Sequence, residues 1–154
     1  DLSTQDIALL MKSLGKSQTL EILKLYCVDL QGEETTTLLA DVVSSAKALT
    51  DLRITSCNLS DITTLANAIQ QANRLTRVDF SMNRVSDSQA LATLWQCPSI
   101  TFLSLSQNEL GGEPPTTTTT STEELQRQFD CLATNQTLKR MYLDMNPLSP
   151  EFVQ

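Results

Sequence analysis

An eleven-residue pattern of apolar and polar positions occurs five times in this chain, in copies that begin at Leu20, Leu49, Leu75, Ile100 and Leu138. Positions 1, 4, 6 and 11 are apolar in every copy, and positions 3, 5 and 7 are mostly polar. Alternation around positions 4 and 6 is expected of a short strand that buries one face. The pattern therefore predicts five strands, near residues 21–26, 50–55, 76–81, 101–106 and 139–144.

Between the copies, the apolar residues recur with the period of an amphipathic helix. The stripes are Leu38, Leu39, Val42, Val43 and Ala46, then Ile62, Leu65, Ala66 and Ile69, then Leu91, Leu94 and Trp95, then Leu125, Phe129 and Leu132. Ile7, Leu10, Met11 and Leu14 form a similar stripe before the first strand. Ser86 with Gln89, and Ser121 with Glu124, have the spacing of a capping box at a helix start. For Trp95, a packing role is favoured over a binding role.

Each copy with its helix forms one unit, and the units are expected to stack. Position 9 is Cys57, Asn83, Asn108 or Asn146 in the last four copies, where a buried amide or thiol can bond backbone groups of adjacent turns. Val28 takes this position in the first copy, so its turn is expected to differ. Stacking buries an apolar side that one unit cannot bury alone. The predicted fold class is α/β, a solenoid with a parallel sheet on the concave face and helices on the convex face.

The copies fit the pattern L-x-x-L-x-L-x-x-(N/C)-x-L, which is the signature of a leucine-rich repeat. With its helical spacers and the lead-ins Gln18-Thr19-Leu20 and Asn135-Gln136-Thr137-Leu138, the chain resembles the ribonuclease-inhibitor-like class of leucine-rich-repeat proteins. That class includes ribonuclease inhibitor, Ran GTPase-activating proteins, sensor regions of NOD-like receptors, tropomodulin-type actin cappers and ciliary scaffold subunits. The resemblance implies a horseshoe of about five repeats that binds proteins through its concave face or rims. It transfers no individual contact residue.

The spacing of the copies indicates an inserted loop, and the residues at the ends of the array indicate that it is part of a longer chain. The copies start 29, 26, 25 and 38 residues apart, and the shorter intervals are nearer to the cysteine-containing repeat subtype. The longest interval contains the low-complexity segment 111–122, with two Pro and five consecutive Thr. We interpret it as an inserted loop, and an expansion without function is favoured over a binding rim. Ser149 followed by Pro150 is typical of a helix start. We therefore expect residues 1–154 to be one array cut from a longer protein.

The amino-acid composition limits the classes of partner and of catalytic or metal site that we expect. A net charge of −7 disfavours nucleic acid and anionic membranes as partners. The chain has no histidine and no phosphate-binding loop, so we predict no catalytic residue, no metal and no cofactor. The cysteines, Cys27, Cys57, Cys97 and Cys131, form no CxxC pair. We expect buried free thiols and a reducing, cytoplasmic location.

The candidate binding residues are the strand positions that point away from the core. From the rows formed by positions 3 and 5 we select Arg53, Arg77, Asp79, Phe102, Arg140 and Tyr142. Tyr and Arg are typical interface anchors. For the Arg and Asp residues, a solvated ladder of cross-strand salt bridges is the favoured alternative, and such bridges contribute roughly 0–1 kcal/mol each. For Phe102 with Tyr142, burial under a partner or the inserted loop and chance exposure stay equally open.

These observations predict a protein–protein interaction module of a larger intracellular protein, possessing no enzymatic activity of its own. Two alternatives stay open. The first is a GTPase-activating regulator resembling the Ran GTPase-activating proteins, for which no specific residue motif is found. The second is a structural subunit of a cytoskeletal or ciliary assembly, associated with one large complex.

Overall fold

The computed structural model describes residues 3–111 and 130–147. Its elements in chain order are α1 (Thr4–Gly15), β1 (Ile22–Tyr26), α2 (Glu33–Ser45), β2 (Asp51–Thr55), α3 (Thr63–Ala72), β3 (Arg77–Asp79), α4 (Ser88–Trp95), β4 (Phe102–Ser104) and β5 (Arg140–Tyr142). Residues 130–134 are also helical and precede β5. The predicted helix starts at Ser121 and Ser149, and the predicted insertion beyond Gly111, lie outside the described residues.

The strands form one parallel sheet in the order β1-β2-β3-β4-β5. The register aligns equal repeat positions, since Ile22 pairs with Asp51, Asp51 with Arg77, Arg77 with Phe102 and Phe102 with Arg140. Successive helices pack against one another, α1 on α2, α2 on α3 and α3 on α4. The predicted α/β fold with a parallel sheet is confirmed.

The turn after each strand has the same backbone conformation. Position 8 of every repeat has a positive φ of 53° to 59°, at Cys27, Ser56, Met82, Gln107 and Met145. This left-handed conformation turns the chain sharply away from the strand direction. The strands are therefore one to three residues shorter than the predicted ranges, although backbone hydrogen bonds such as Phe80 N to Ser104 O continue the ladder. The first turn shares the φ of the others at Cys27, but its hydrogen bonds differ, since Leu30 N donates to the backbone oxygen of Cys57 where Leu59 N and Val85 N donate to asparagine side chains.

One contiguous apolar core lies between the sheet and the helices. Positions 4 and 6 of the first four repeats are buried, and Phe80 is the largest fully buried side chain. The helix stripes of α2, α3 and α4 face this core, and Trp95 packs within it as predicted. In α1 the stripe is narrower than predicted, because Ile7 and Met11 are buried while Leu10 is exposed.

Asparagines at position 9 connect adjacent repeats inside the core. Asn83 Oδ1 accepts hydrogen bonds from Cys57 N at 3.0 Å and Leu59 N at 3.1 Å. Asn83 Nδ2 donates to Ile54 O at 2.7 Å and Phe80 O at 2.9 Å. Asn108 and Asn146 repeat this arrangement in the next two units. The amides thus satisfy backbone groups that the turns leave without a partner.

The helix starts differ in part from the predicted capping. For α4, the N-cap is Asp87, whose carboxylate accepts from Gln89 N and Ala90 N, and not Ser86 in a box with Gln89. Asp87 prevails because a carboxylate accepts several strong bonds at once, and its second oxygen also accepts from Thr63 Oγ1. A capping box does occur at α1, where hydrogen bonds from Ser3 lower the pKa of Asp6.

The cysteines occupy different environments. The prediction of buried thiols is confirmed for Cys57 and Cys97 and is wrong for Cys27, which is exposed. Cys27 stands at position 8, where the left-handed turn directs the side chain outward, whereas Cys57 stands at the inward position 9. The Cys57 thiol donates to Thr55 O at 3.2 Å, and burial raises its pKa. It therefore acts as a neutral donor, in the place that Asn83 takes one repeat later.

A cation from the following repeat caps α2. This helix has no basic residue in its last turn, and its C-terminal carbonyls lie beside Arg74, which follows α3. Arg74 Nη2 donates to Val43 O and, at 2.9 Å, to Ala46 O. A positive charge at a helix C-terminus favourably opposes the helix dipole. Arg74 therefore joins the second and third repeats on the helix side, as Asn83 does on the sheet side.

Replacing Arg74 by Met is expected to lower the free energy of unfolding by about 2 kcal/mol, since hydrogen bonds to charged groups contribute roughly 1.5–3 kcal/mol. Urea denaturation followed by circular dichroism measures the change. Arg84→Met is the matched control, because exposed Arg84 makes a single ion pair with Glu109 at 3.0 Å, and it should cost less than about 1 kcal/mol. Equal losses in the two variants would contradict the capping role.

Candidate functional site

The concave face, meaning the sheet face opposite the helices, is built from positions 3 and 5 of the strands. The parallel register aligns position 3 as Ile22, Asp51, Arg77, Phe102 and Arg140, and position 5 as Lys24, Arg53, Asp79, Ser104 and Tyr142. Because parallel strands lie about 4.8 Å apart, side chains in one row are direct neighbours. All six candidate binding residues therefore lie on strands β2 to β5 of one surface.

At β2 this surface carries a charged pair. Arg53 donates from Nε to Asp51 Oδ1 at 2.9 Å and from Nη2 to Oδ2 at 2.6 Å, a bidentate contact within one strand. These hydrogen bonds, and then the charges of Asp51 and Asp79, raise the pKa of Arg53. In the described residues, this face has one salt bridge between strands, in which Arg77 Nε lies 4.0 Å from Asp51 Oδ1. The alternative of a ladder of cross-strand salt bridges is therefore present only in part.

At β3 to β5 the surface becomes aromatic. The Arg77 guanidinium lies over the ring of Phe102, with Cζ 3.6 Å from the ring centroid. The Phe102 ring in turn lies 5.5 Å from the Tyr142 ring, at an interplanar angle of 43°. Phe102 is therefore half-buried between its neighbours, while Tyr142 keeps 46% of its surface exposed. These three residues form a continuous stack across three strands.

Asp79 and Arg140 complete the candidate set in different ways. Asp79 Oδ1 accepts from Ser81 N at 3.1 Å and Ser81 Oγ at 2.6 Å, and Ser81 Oγ lies 2.6 Å from Ser104 Oγ. Ser104 is buried, although its row was expected to face solvent. Arg140 is exposed beside Phe102, on the side opposite Arg77. Arg77, Phe102 and Tyr142 thus contact one another. Asp79 belongs instead to a separate hydrogen-bond network with Ser81 and Ser104.

A second group of exposed side chains was missed by the selection of positions 3 and 5. It consists of Tyr26 at position 7 and Met82 and Met145 at position 8, with exposures of 67%, 47% and 74%. They lie at the turn side of the sheet, because position 8 takes the left-handed conformation that directs side chains outward. The signal that could have found them is the absence of any apolar requirement at position 8 in the five copies.

Metal sites and membrane-spanning helices are the other features that could indicate a function. In residues 3–111 and 130–147, no group of three or more Cys, Asp or Glu side chains converges as metal ligands would. In the same residues, no helix has both the length and the apolar character needed to cross a bilayer.

Comparison with known proteins agrees with the repeat pattern. A family model described as Leucine Rich repeat matches residues 96–113, which include β4 and its turn. The tropomodulin C-terminal domain of Caenorhabditis elegans aligns with 95% of this chain and 86% of its own, with a TM-score of 0.69 and 14% identity. The chain has a leucine-rich-repeat fold. The predicted resemblance is therefore confirmed at the level of the fold.

Other solved leucine-rich-repeat structures are similar as well. Leiomodin-1 Actin-Binding Site 2 aligns over 94% of this chain and 82% of its own, with a TM-score of 0.67 and 9% identity. An internalin (inlF) from Listeria monocytogenes aligns over 94% of this chain and 38% of its own, with a TM-score of 0.53 and 18% identity. At these identities the likeness concerns the arrangement of the backbone. No curated protein matches the chain significantly.

Proposed function

We propose that this chain acts as a binding module of a larger intracellular protein, without enzymatic activity of its own, and holds a protein partner on its concave face. The observation that carries the proposal is the connected surface of Arg53, Arg77, Phe102 and Tyr142. Arg53 forms an ion pair with Asp51, and Arg77, Phe102 and Tyr142 contact one another in their stack. Side chains already ordered before binding lose less conformational entropy when a partner docks.

We further propose a cytoskeletal partner, with actin as the first candidate. Support comes from the alignment with leiomodin-1 Actin-Binding Site 2 over 94% of this chain. Fold similarity at 9% identity does not transfer contacts, so the proposal concerns the type of partner and not its binding mode. The GTPase-activating alternative has no comparable observation in its favour.

The four-residue variant Arg53→Ala, Arg77→Ala, Phe102→Ala and Tyr142→Ala tests the proposed surface. Immobilised chain is used to capture proteins from native extract, and captured proteins are quantified by mass spectrometry. Purified actin is titrated in parallel, as monomers and as filaments. We expect the variant to lose the captured partners and to weaken any actin binding at least about tenfold, because aromatic and Arg anchors dominate binding energy.

The matched control carries four substitutions on the helix side, Leu9→Ala, Lys12→Ala, Lys47→Ala and Gln71→Ala, all at exposed residues. Like the test variant, it removes two cations and two uncharged side chains. Circular dichroism must show that both variants stay folded. Loss of partners in the control and not in the test variant would contradict concave-face binding. Partners that bind normally while actin does not bind would contradict only the actin proposal.

A further inference from the structure

The Arg77, Phe102 and Tyr142 stack and the neighbouring Arg140 have a chemistry that specifies part of the partner. We infer that this end of the concave face binds an acidic peptide segment, in which a carboxylate lies next to an apolar side chain. The inference rests on the proposed function, since it names the partner chemistry of the same surface. It depends on which hydrogen-bond donors of the surface are already used within the chain.

Arg77 has its terminal donors available. Its guanidinium face rests on the Phe102 ring, and its Nε is 4.0 Å from Asp51 Oδ1. Its Nη1 and Nη2 atoms donate to no described residue. Stacking on an aromatic ring uses the face of a guanidinium and leaves the in-plane N–H groups free for a planar acceptor. These are the donors that bind a carboxylate in a bidentate manner.

Arg140 supplies a second cation on the other side of Phe102. The register pairs Phe102 with Arg77 on one strand and with Arg140 on the next, so the two Arg backbones lie about 10 Å apart, two strand spacings. Arg140 is exposed, and its side chain has no ion pair in the part of the chain that the structure describes. Arg53 differs, because Asp51 already occupies its fork. The unused cationic donors therefore bracket Phe102.

The nearby acids make no contact with Arg140 or with the terminal nitrogens of Arg77 in the described residues. Asp51 is held by Arg53 in a bidentate contact and approaches only Nε of Arg77, at 4.0 Å, while Asp79 accepts hydrogen bonds from Ser81. Asp144 accepts from Ser106 Oγ at 2.5 Å, two residues beyond Tyr142. The chain as a whole is acidic, at −7, but charges farther than about 8 Å are largely screened at physiological salt. The donors that remain available to a partner at this end are therefore the terminal N–H groups of Arg77 and the guanidinium of Arg140.

The apolar half of the partner is specified by Tyr142. Its ring is 46% exposed and lies 5.5 Å from Phe102, so the two rings together form an open aromatic surface beside Arg140. A side chain such as Leu or Phe can cover these rings while the adjacent carboxylate reaches Arg77 or Arg140. A carboxylate alone would leave the rings exposed, and an apolar segment alone would leave two guanidinium groups without acceptors as water is excluded.

A peptide-display selection tests the inference and requires no identified partner. Random 12-residue peptides are selected on the immobilised wild-type chain at physiological salt, and enriched peptides are sequenced. We expect Asp or Glu next to Leu, Phe, Trp or Tyr to be enriched over the unselected library. The affinities of synthetic copies are then measured against Arg77→Gln/Arg140→Gln, in which we expect binding to fall at least about tenfold. The same peptides with Asp and Glu replaced by Asn and Gln should lose affinity similarly on the wild type.

The matched control is Lys12→Gln/Lys47→Gln, which removes the same net charge from the helix side and should leave binding unchanged. Tyr142→Ala should weaken peptides that retain their acids, which separates the apolar contact from the charge contact. Enriched peptides that lack acids, or that bind the double Arg variant as well as the wild type, would overturn the inference while leaving a binding module intact. Failure of any peptide or extract protein to bind the concave face would instead reject the proposed function itself.

Discussion

Replacing Asn83 by Ala is expected to lower the free energy of unfolding by about 3 kcal/mol. The side chain accepts from Cys57 N and Leu59 N and donates to Ile54 O, all in the preceding repeat. Asn83 is buried, so its removal leaves these backbone groups in the core without their partner. Each unsatisfied buried group costs roughly 1–3 kcal/mol, and partial relaxation of the turns keeps the total below the full sum.

Two further variants make this prediction specific. Asn83→Cys should lose less than Asn83→Ala, because Cys57 fills the same position one repeat earlier and donates its thiol to Thr55 O and Leu25 O. Asn67→Ala, on the exposed face of α3, makes the same substitution without buried contacts and should change stability by less than about 0.5 kcal/mol. Urea unfolding monitored by the fluorescence of Trp95, the one Trp of the chain, measures all three. A similar cost for Asn67→Ala and Asn83→Ala would contradict the ladder role.

Replacing Phe80 by Ala should have the largest effect, a loss of about 4 kcal/mol in the free energy of unfolding. Phe80 stands at position 6 and has no exposed surface, whereas the other repeats have Leu or Ile there. Its removal creates a cavity in the middle of the stack, and buried Phe→Ala changes cost roughly 3–5 kcal/mol. Phe80→Leu restores the residue type of the other repeats and should recover more than half of the loss.

Phe102→Ala is the natural comparison, because the same substitution is made one strand away on the opposite face. It removes the cation–π contact with Arg77, which contributes about 0.5–1 kcal/mol at exposed sites. We expect its stability cost to stay near 1 kcal/mol while partner binding falls. Chemical denaturation and partner capture are measured on the same two proteins. A Phe102→Ala variant as unstable as Phe80→Ala would show that Phe102 belongs to the core and not to a binding surface.

Phe80 and Phe102 also show which features of the structure could be predicted from the sequence alone. Phe80 is at position 6 of the eleven-residue pattern and Phe102 is at position 3. Because side chains alternate between the two faces of a strand, these positions alone predict that the Phe80 ring is buried and that the Phe102 ring lies on the outer face. The same register aligns Arg53 with Asp79, and Arg77 with Phe102, from their positions in the repeat alone. The same alternation did not predict that Ser104 is buried, or that its hydroxyl contacts Ser81 in the neighbouring repeat.

The sequence by itself determined the fold and the rows of the concave face, because both follow from a repeated local period that every unit shares. Only the tertiary structure decided which neighbouring group each polar side chain contacts. It assigned Asp51 to Arg53, laid Arg77 over Phe102, made Asp87 the cap of α4 and directed Arg74 to the end of α2. Such choices depend on distances of a few ångströms between groups that compete for one partner, some of them adjacent in sequence and others more than twenty residues apart. A pattern of residue types does not contain those distances.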